Sequence, residues 1–323
     1  MPGHHPPAAP PEAAPRGLPD RRVGTLYRYE PRRRAPRRGG AGAAVVGVLG
    51  GLAALVVGMV LGFTAFGGGD GGPAGSGPGT GGPEGREAAT RSRLYETGAL
   101  TPVNCRLPAI QPGAESMRRF MNRLTDCLDT SWRAQFQKAN LPFGPPSRVF
   151  WDGPGRSPCG TYPSPGASAF YCPANNTMYV GMEHIVETSG GEPLSNFAVF
   201  ARVVAHEYAH HVQDRAGILL YGQRRMERAT AAGVRAETSR RIELQAQCFA
   251  GAFLGAERRT LPMTPGQYSA MLTDVRGRGD DRQPADQRDH GSGRAYAGWV
   301  VKGYKGQRLA VCNTWTAPPS AVD

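Results

Sequence analysis

Residues 206–210 read His206-Glu207-Tyr208-Ala209-His210, the pattern H-E-x-x-H. Positions four apart on a 3.6-residue helix stand about 40° from each other, so both imidazoles can reach one metal ion. The glutamate beside the first histidine can point at water on that metal. A zinc hydrolase needs this combination of two imidazole ligands and an adjacent carboxylate base. Ahead of the motif, Leu194, Phe197, Phe200, Ala201 and Val204 recur at helical spacing. They predict a buried, amphipathic helix, with Pro193 and Ser195 suited to its start. His211 stands about 140° round the helix from His206. It reads as a flanking polar residue or as a support for a ligand.

A catalytic zinc site takes three protein ligands and leaves a fourth position for water. A third histidine six residues after His210 is absent, since position 216 is Ala. The strongest candidate is Glu243, in Ile242-Glu243-Leu244-Gln245-Ala246-Gln247-Cys248. Ile242, Ala246, Phe249, Ala250, Phe253 and Leu254 form an apolar helical stripe beside it. A carboxylate facing that interior is costly unless it is paired or metal-bound. A surface Glu243 paired with Arg240 or Arg241 is the competing reading. Glu227 and Glu237 are rival ligands in more polar surroundings.

Farther out, composition divides the chain. Residues 1–40 are rich in Pro, Ala and Arg and read as a disordered segment. Ala43 to Phe66 carries no charged residue and is long enough to span a bilayer. Arg32, Arg33, Arg34, Arg37 and Arg38 stand just before it, and no basic residue follows until Arg86. The positive-inside rule then places the N-terminus in the cytoplasm and the rest outside. We therefore expect a single-pass anchor over 41–66, a Gly-rich linker over 67–90 and one extracytoplasmic domain over 91–323. With a membrane segment to explain the basic arm, no nucleic-acid partner is expected. All six cysteines lie beyond the anchor, an even count on the oxidising side. Cys159 with Cys172 and Cys105 with Cys127 are local pairs, which leaves Cys248 with Cys312.

Several stretches resemble the bacterial neutral zinc metallopeptidase family of membrane-anchored, zincin-type proteins. Val204-Ala205-His206-Glu207-Tyr208-Ala209-His210-His211-Val212-Gln213 is close to the family's V-A-H-E-Y-G-H-H-V-Q. Glu243 to Gly251 is close to its E-L-Q-A-D-C-x-A-G. Cys159-Gly160, Phe170-Tyr171-Cys172-Pro173 and Met178-Tyr179-Val180 follow in its order, as do His290-Gly291-Ser292 and Cys312-Asn313-Thr314-Trp315. The resemblance implies Zn²⁺ held by His206, His210 and Glu243, with a peptide or protein as substrate. Three departures from the pattern stand out. Gln247 replaces an Asp one turn after Glu243, where a carboxylate could orient a zinc histidine; glutamine can still accept a hydrogen bond but raises ligand basicity less, so reduced metal affinity or rate is expected. Asn175 replaces an Asp in the hairpin, and Ala295 and Tyr296 replace a Gln-Arg pair.

The expected architecture is α+β and mainly helical: a zincin-like domain with a small hairpin, preceded by one transmembrane helix. A helix is predicted over Ser116–Ala139, and a hairpin from Phe170–Cys172 and Thr177–Val180. By analogy with zincins, Met178–Val180 is expected to hold extended substrate. The expected chemistry is peptide-bond hydrolysis by activated water, with Glu207 as general base and His290 as a candidate electrophile at the oxyanion. Two other readings are a non-catalytic, zinc-stabilised binding module at the cell surface and a basic scaffold for acidic envelope polymers. A purely structural metal site has no use for Glu207.

Overall fold

The computed structural model describes residues 85–323 except 165 and 166. The expected segment 1–40, the transmembrane helix over 41–66 and nearly all of the linker lie outside the described residues. Among the described residues, no helix is long and apolar enough to cross a membrane. In chain order the main elements are α1 (Arg86–Thr90), α2 (Ala114–Lys138), β1 (Ser147–Trp151), β2 (Gly155–Ser157), β3 (Gly160–Tyr162), β4 (Ala169–Cys172) and β5 (Thr177–Gly181). The helices α3 (His184–Thr188), α4 (Phe197–Arg215), α5 (Ile218–Arg228), α6 (Ala232–Ala256), α7 (Pro265–Gly277) and α8 (Gly293–Gly306) follow. The fold is mainly helical with small sheets, as expected.

The folded body starts earlier than Arg91. Ala88 and Ala89 of α1 are fully buried. The Tyr95 hydroxyl donates to the Ala89 carbonyl, and the Asn313 amide donates to that of Thr90. This part of the expected linker is therefore packed structure. The predicted helix over Ser116–Ala139 is α2, which buries Met117, Phe120, Met121, Leu124, Leu128, Trp132 and Phe136 along one stripe.

Two long helices form the centre. On both α4 and α6 nearly every face is buried. The helix carrying H-E-x-x-H is thus enclosed rather than amphipathic, which corrects the expectation. It begins at Phe197 after Asn196, past Pro193 and Ser195. Enclosure has a chemical consequence: each polar side chain on these helices needs an internal partner. The α8 helix lies backbone to backbone against α6. A Cβ on Gly251 would strike the Val300 carbonyl, and one on Gly303 would strike that of Cys248. Glycine at these positions lets α8 approach the helix that carries Glu243. The Cys248–Cys312 disulfide fastens the same side of α6 to the chain after α8, and Cys105–Cys127 and Cys159–Cys172 complete the three expected pairs.

The predicted hairpin is present as β4 and β5, with Tyr171 opposite Met178. A third strand, β1, was not anticipated; it pairs with β5 in parallel, Val149 opposite Tyr179. The sheet order is β1-β5-β4. Met178–Val180 therefore sits in the central strand, its backbone groups spent on both neighbours. It cannot hold an extended substrate. The strand with a free edge beside α4 is β4.

Candidate active site

Residues four apart on α4 bring His206 and His210 together, and α6 crosses behind them to supply Glu243. The two Nε2 atoms are 3.2 Å apart. Glu243 Oε2 lies 3.2 Å from His206 Nε2, and Oε1 lies 3.6 Å from His210 Nε2. Glu243 is 1% exposed and His206 is equally buried. A tetrahedral zinc site with bonds of about 2.0–2.1 Å has ligand-to-ligand edges of about 3.3–3.4 Å. The observed spacings, with each histidine facing its own carboxylate oxygen, run from 3.2 to 3.6 Å and are close to that size. Buried Glu243 Oε2 makes no aligned hydrogen bond, and the two imidazoles align only with each other through Nε2. A buried carboxylate and two imidazoles converging in this way suit a shared cation.

The competing partners of Glu243 are engaged elsewhere. Arg240 donates to the carbonyls of Ala285, Arg288 and Val322. Arg241 pairs with Glu237 and donates to the Thr314 carbonyl. Glu237 is thereby removed as a rival ligand, and Glu227 is exposed.

Charge in the triad follows from burial and proximity. Burial pushes His206 down to about 3. Burial also acts to lower His210, but Glu243 outweighs it and raises the imidazole to about 9. Burial would raise Glu243, and the two histidines hold it well below the usual carboxylate range instead. The carboxylate is thus anionic and draws positive charge towards itself, as a cation site requires.

His210 has a partner that the sequence reading missed. Its Nδ1 lies 2.9 Å from Gln213 Oε1. The amide orientation is fixed, because Gln213 Nε2 donates to the Ile242 carbonyl and to Gln245 Oε1. Gln213 Oε1 must then accept, so Nδ1 keeps its proton, and Nε2 is the nitrogen that would give up its own to bind a metal. Gln247 was expected to orient a histidine in this way. It is fully buried one turn after Glu243, but its amide makes no hydrogen bond, and His206 Nδ1 is likewise unpartnered. The group it influences is the Tyr296 hydroxyl.

Glu207 is buried beside the triad, and burial raises its carboxyl to about 7. The Tyr171 backbone N–H on β4 is close enough to pull the other way. His211 is not part of the site. Its Nε2 donates to the Gly144 carbonyl at 2.9 Å, and burial holds the ring neutral, near 3.

His290 comes from the loop between α7 and α8 and is buried close enough to feel the charge of Glu243. Its Nδ1 donates to Asp289 Oδ1 at 2.8 Å and lies 3.3 Å from Asp280 Oδ2. Burial opposes its charge, but the two aspartates and nearby Glu243 raise it well above the ordinary histidine value. The Tyr296 ring packs edge-on against both His290 and His206, with centroids 5.9 and 6.2 Å away. Asp280, Asp289 and Tyr296 were not anticipated as site residues. Only the adjacency of Asp289 and His290 hinted at such a pair.

Residues 28–315 match the family described as "Putative neutral zinc metallopeptidase". The chain belongs to this family. Among curated proteins it is similar to the uncharacterized protein YpfJ of Escherichia coli K12, 28% identical over 87% of this chain and 91% of that one. It is also similar to the uncharacterized protein Rv2575 of Mycobacterium tuberculosis H37Rv, 31% identical over 46% of this chain and 55% of the relative. No solved structure matches it. The family description implies zinc, and His206, His210 and Glu243 form a candidate metal-binding triad. The family description supports a peptidase and its protein or peptide substrate.

Proposed function

We propose that this protein is a zinc-dependent peptidase whose metal is held by His206, His210 and Glu243. The observation that carries the reading is the placement of Glu207, buried and directly following His206 beside a three-donor triad. Zinc held by these three residues would supply a Lewis acid that makes water more acidic and polarises a peptide carbonyl. Glu207 takes the proton from the attacking water and returns it to the leaving amine. His290, kept protonated by Asp280 and Asp289, donates to the carbonyl oxygen as negative charge develops. Tyr296 lines the same wall. Alternate residues of β4 turn their backbone groups away from β5, and we assign substrate to that edge, along Ala169 and Tyr171.

The rest of the chain fits a surface enzyme. Three disulfides suit an oxidising compartment. The apolar run over 43–66, with arginines before it, suits a single-pass anchor with the catalytic domain outside the cell membrane. A zinc-stabilised binding module would share the triad but has no use for a base poised at Glu207.

Digestion of a peptide library by the full chain, with and without a chelator, tests the reading. We expect cleavage that chelation abolishes, zinc restores and Glu207→Gln removes. Undiminished cleavage by Glu207→Gln would refute the mechanism.

A further inference from the structure

The loop that delivers His290 is closed on itself at its base. Gly279 and Gly293 meet so tightly that a Cβ on either would strike backbone or a neighbouring carboxylate. The Asp280 N–H donates to the Gly291 carbonyl at 2.8 Å. Asp280 Oδ2 accepts from the backbone N–H groups of Asp289 and His290. These contacts shape the loop but do not fix where it sits against the rest of the protein.

Arg240 does that. Its guanidinium is buried and enters the loop from α6, three residues before Glu243. Nη1 donates to the Ala285 carbonyl at 3.0 Å and to the Arg288 carbonyl at 2.6 Å. Nε donates to the Val322 carbonyl at 2.7 Å. The segment around Val322 in turn holds the far side of the loop: the Asp323 carbonyl accepts from the Ser292 N–H and hydroxyl. One side chain on the Glu243 helix therefore ties together the loop before His290 and the strand of chain that braces the loop after it. Three carbonyls in a fixed planar fork suit arginine, and a lysine reproduces only part of the set.

We infer that Arg240 is a positioning residue that sets the distance of His290 from the metal triad. The inference rests on the reading that His290 acts at this site. Arg240 touches neither substrate nor metal, so its loss should leave metal affinity intact and move His290. A displacement on the order of 1 Å can cost about 100-fold in rate.

The test compares the full chain with Arg240→Met, Arg240→Lys, His290→Asn and the double variant Arg240→Met/His290→Asn. Three quantities are read: zinc affinity, kcat and KM on a cleaved peptide, and the Nδ1–H resonance of His290 in histidine-labelled protein. We expect zinc affinity to match wild type and the His290 resonance to shift or broaden in Arg240→Met. We expect kcat to fall about 10- to 100-fold with KM within about 3-fold, and Arg240→Lys to recover part of it. Adding Arg240→Met to His290→Asn should cost nothing further. Fully additive losses, or an unmoved His290 resonance in folded Arg240→Met, would overturn the inference. If Arg240→Met does not fold, hydrogen exchange across residues 280–292 in Arg240→Lys decides: faster exchange there supports the role, and wild-type exchange overturns it. If wild type cleaves nothing, the peptidase reading fails, while the resonance and exchange still judge Arg240.

Discussion

Gln213 Oε1 accepts the Nδ1 proton of His210 at 2.9 Å. That bond fixes the tautomer that leaves Nε2 available, and it is anchored in turn through Gln245 to the Tyr95 hydroxyl. Gln213→Leu removes the acceptor and leaves a buried imidazole free to choose the wrong tautomer. We expect zinc affinity to fall about 10- to 100-fold, read by competition with a metal indicator. Unchanged affinity would mean that Gln213 only packs.

His290 is assigned to the oxyanion, not to the metal. His290→Asn should therefore keep stoichiometric zinc. Loss of one oxyanion donor costs about 100- to 1,000-fold in kcat, and KM should stay close to wild type. Steady-state kinetics beside metal analysis check this; loss of zinc from the variant would reassign the residue.

Asp274 on α7 carries the fully buried Arg202, one turn before His206. Burial would raise Asp274, but Arg202 and Arg278 outweigh it and hold the carboxyl below the usual carboxylate range. A lowered folded value means that the folded state binds this proton less readily than the unfolded chain. The pair's stabilisation is thus complete above the ordinary value and is lost as pH falls through the lower folded one. Asp274→Asn strands a buried guanidinium and should cost about 3–5 kcal/mol at neutral pH. Urea unfolding from pH 7 down to pH 2 checks both statements: the gap between wild type and variant should narrow only at the acid end.

Metal removal should also be visible in stability. A ligand present at about 1,000 times its Kd stabilises the folded state by about 4 kcal/mol. Chelation should lower the Tm of wild type reversibly, and zinc should restore it. Glu243→Gln should show little response to either, since it has lost the anionic donor. An equal response in the variant would place the metal elsewhere.

The sequence revealed the site's ligands more readily than its supports. His206, Glu207 and His210 declare themselves by spacing on one helix, and Glu243 by the cost of burying a carboxylate beside an apolar stripe. The supports depend on tertiary contact. Gln213 lies at the readable i+3 spacing from His210, but the bond that matters runs on to Ile242 and Gln245 of another helix. Tyr296 reaches the site only because glycines let α8 touch α6. Gln247 stood out as a departure from the family pattern, yet its predicted bond to a histidine is absent. Strand pairing misled in the same way. Thr177–Val180 is readable as a strand, but its central place depends on β1, about thirty residues earlier and joined in parallel. That partner closes the second edge of β5 and leaves β4 as the edge strand beside α4.

The central claim is that His206, His210 and Glu243 hold one zinc ion. Metal content of the purified full chain, measured for wild type, Glu207→Gln and Glu243→Ala, tests it most directly. We predict one zinc per chain in wild type and in Glu207→Gln, and its loss in Glu243→Ala. Stoichiometric zinc in folded Glu243→Ala, or none in wild type after zinc loading, would contradict the account.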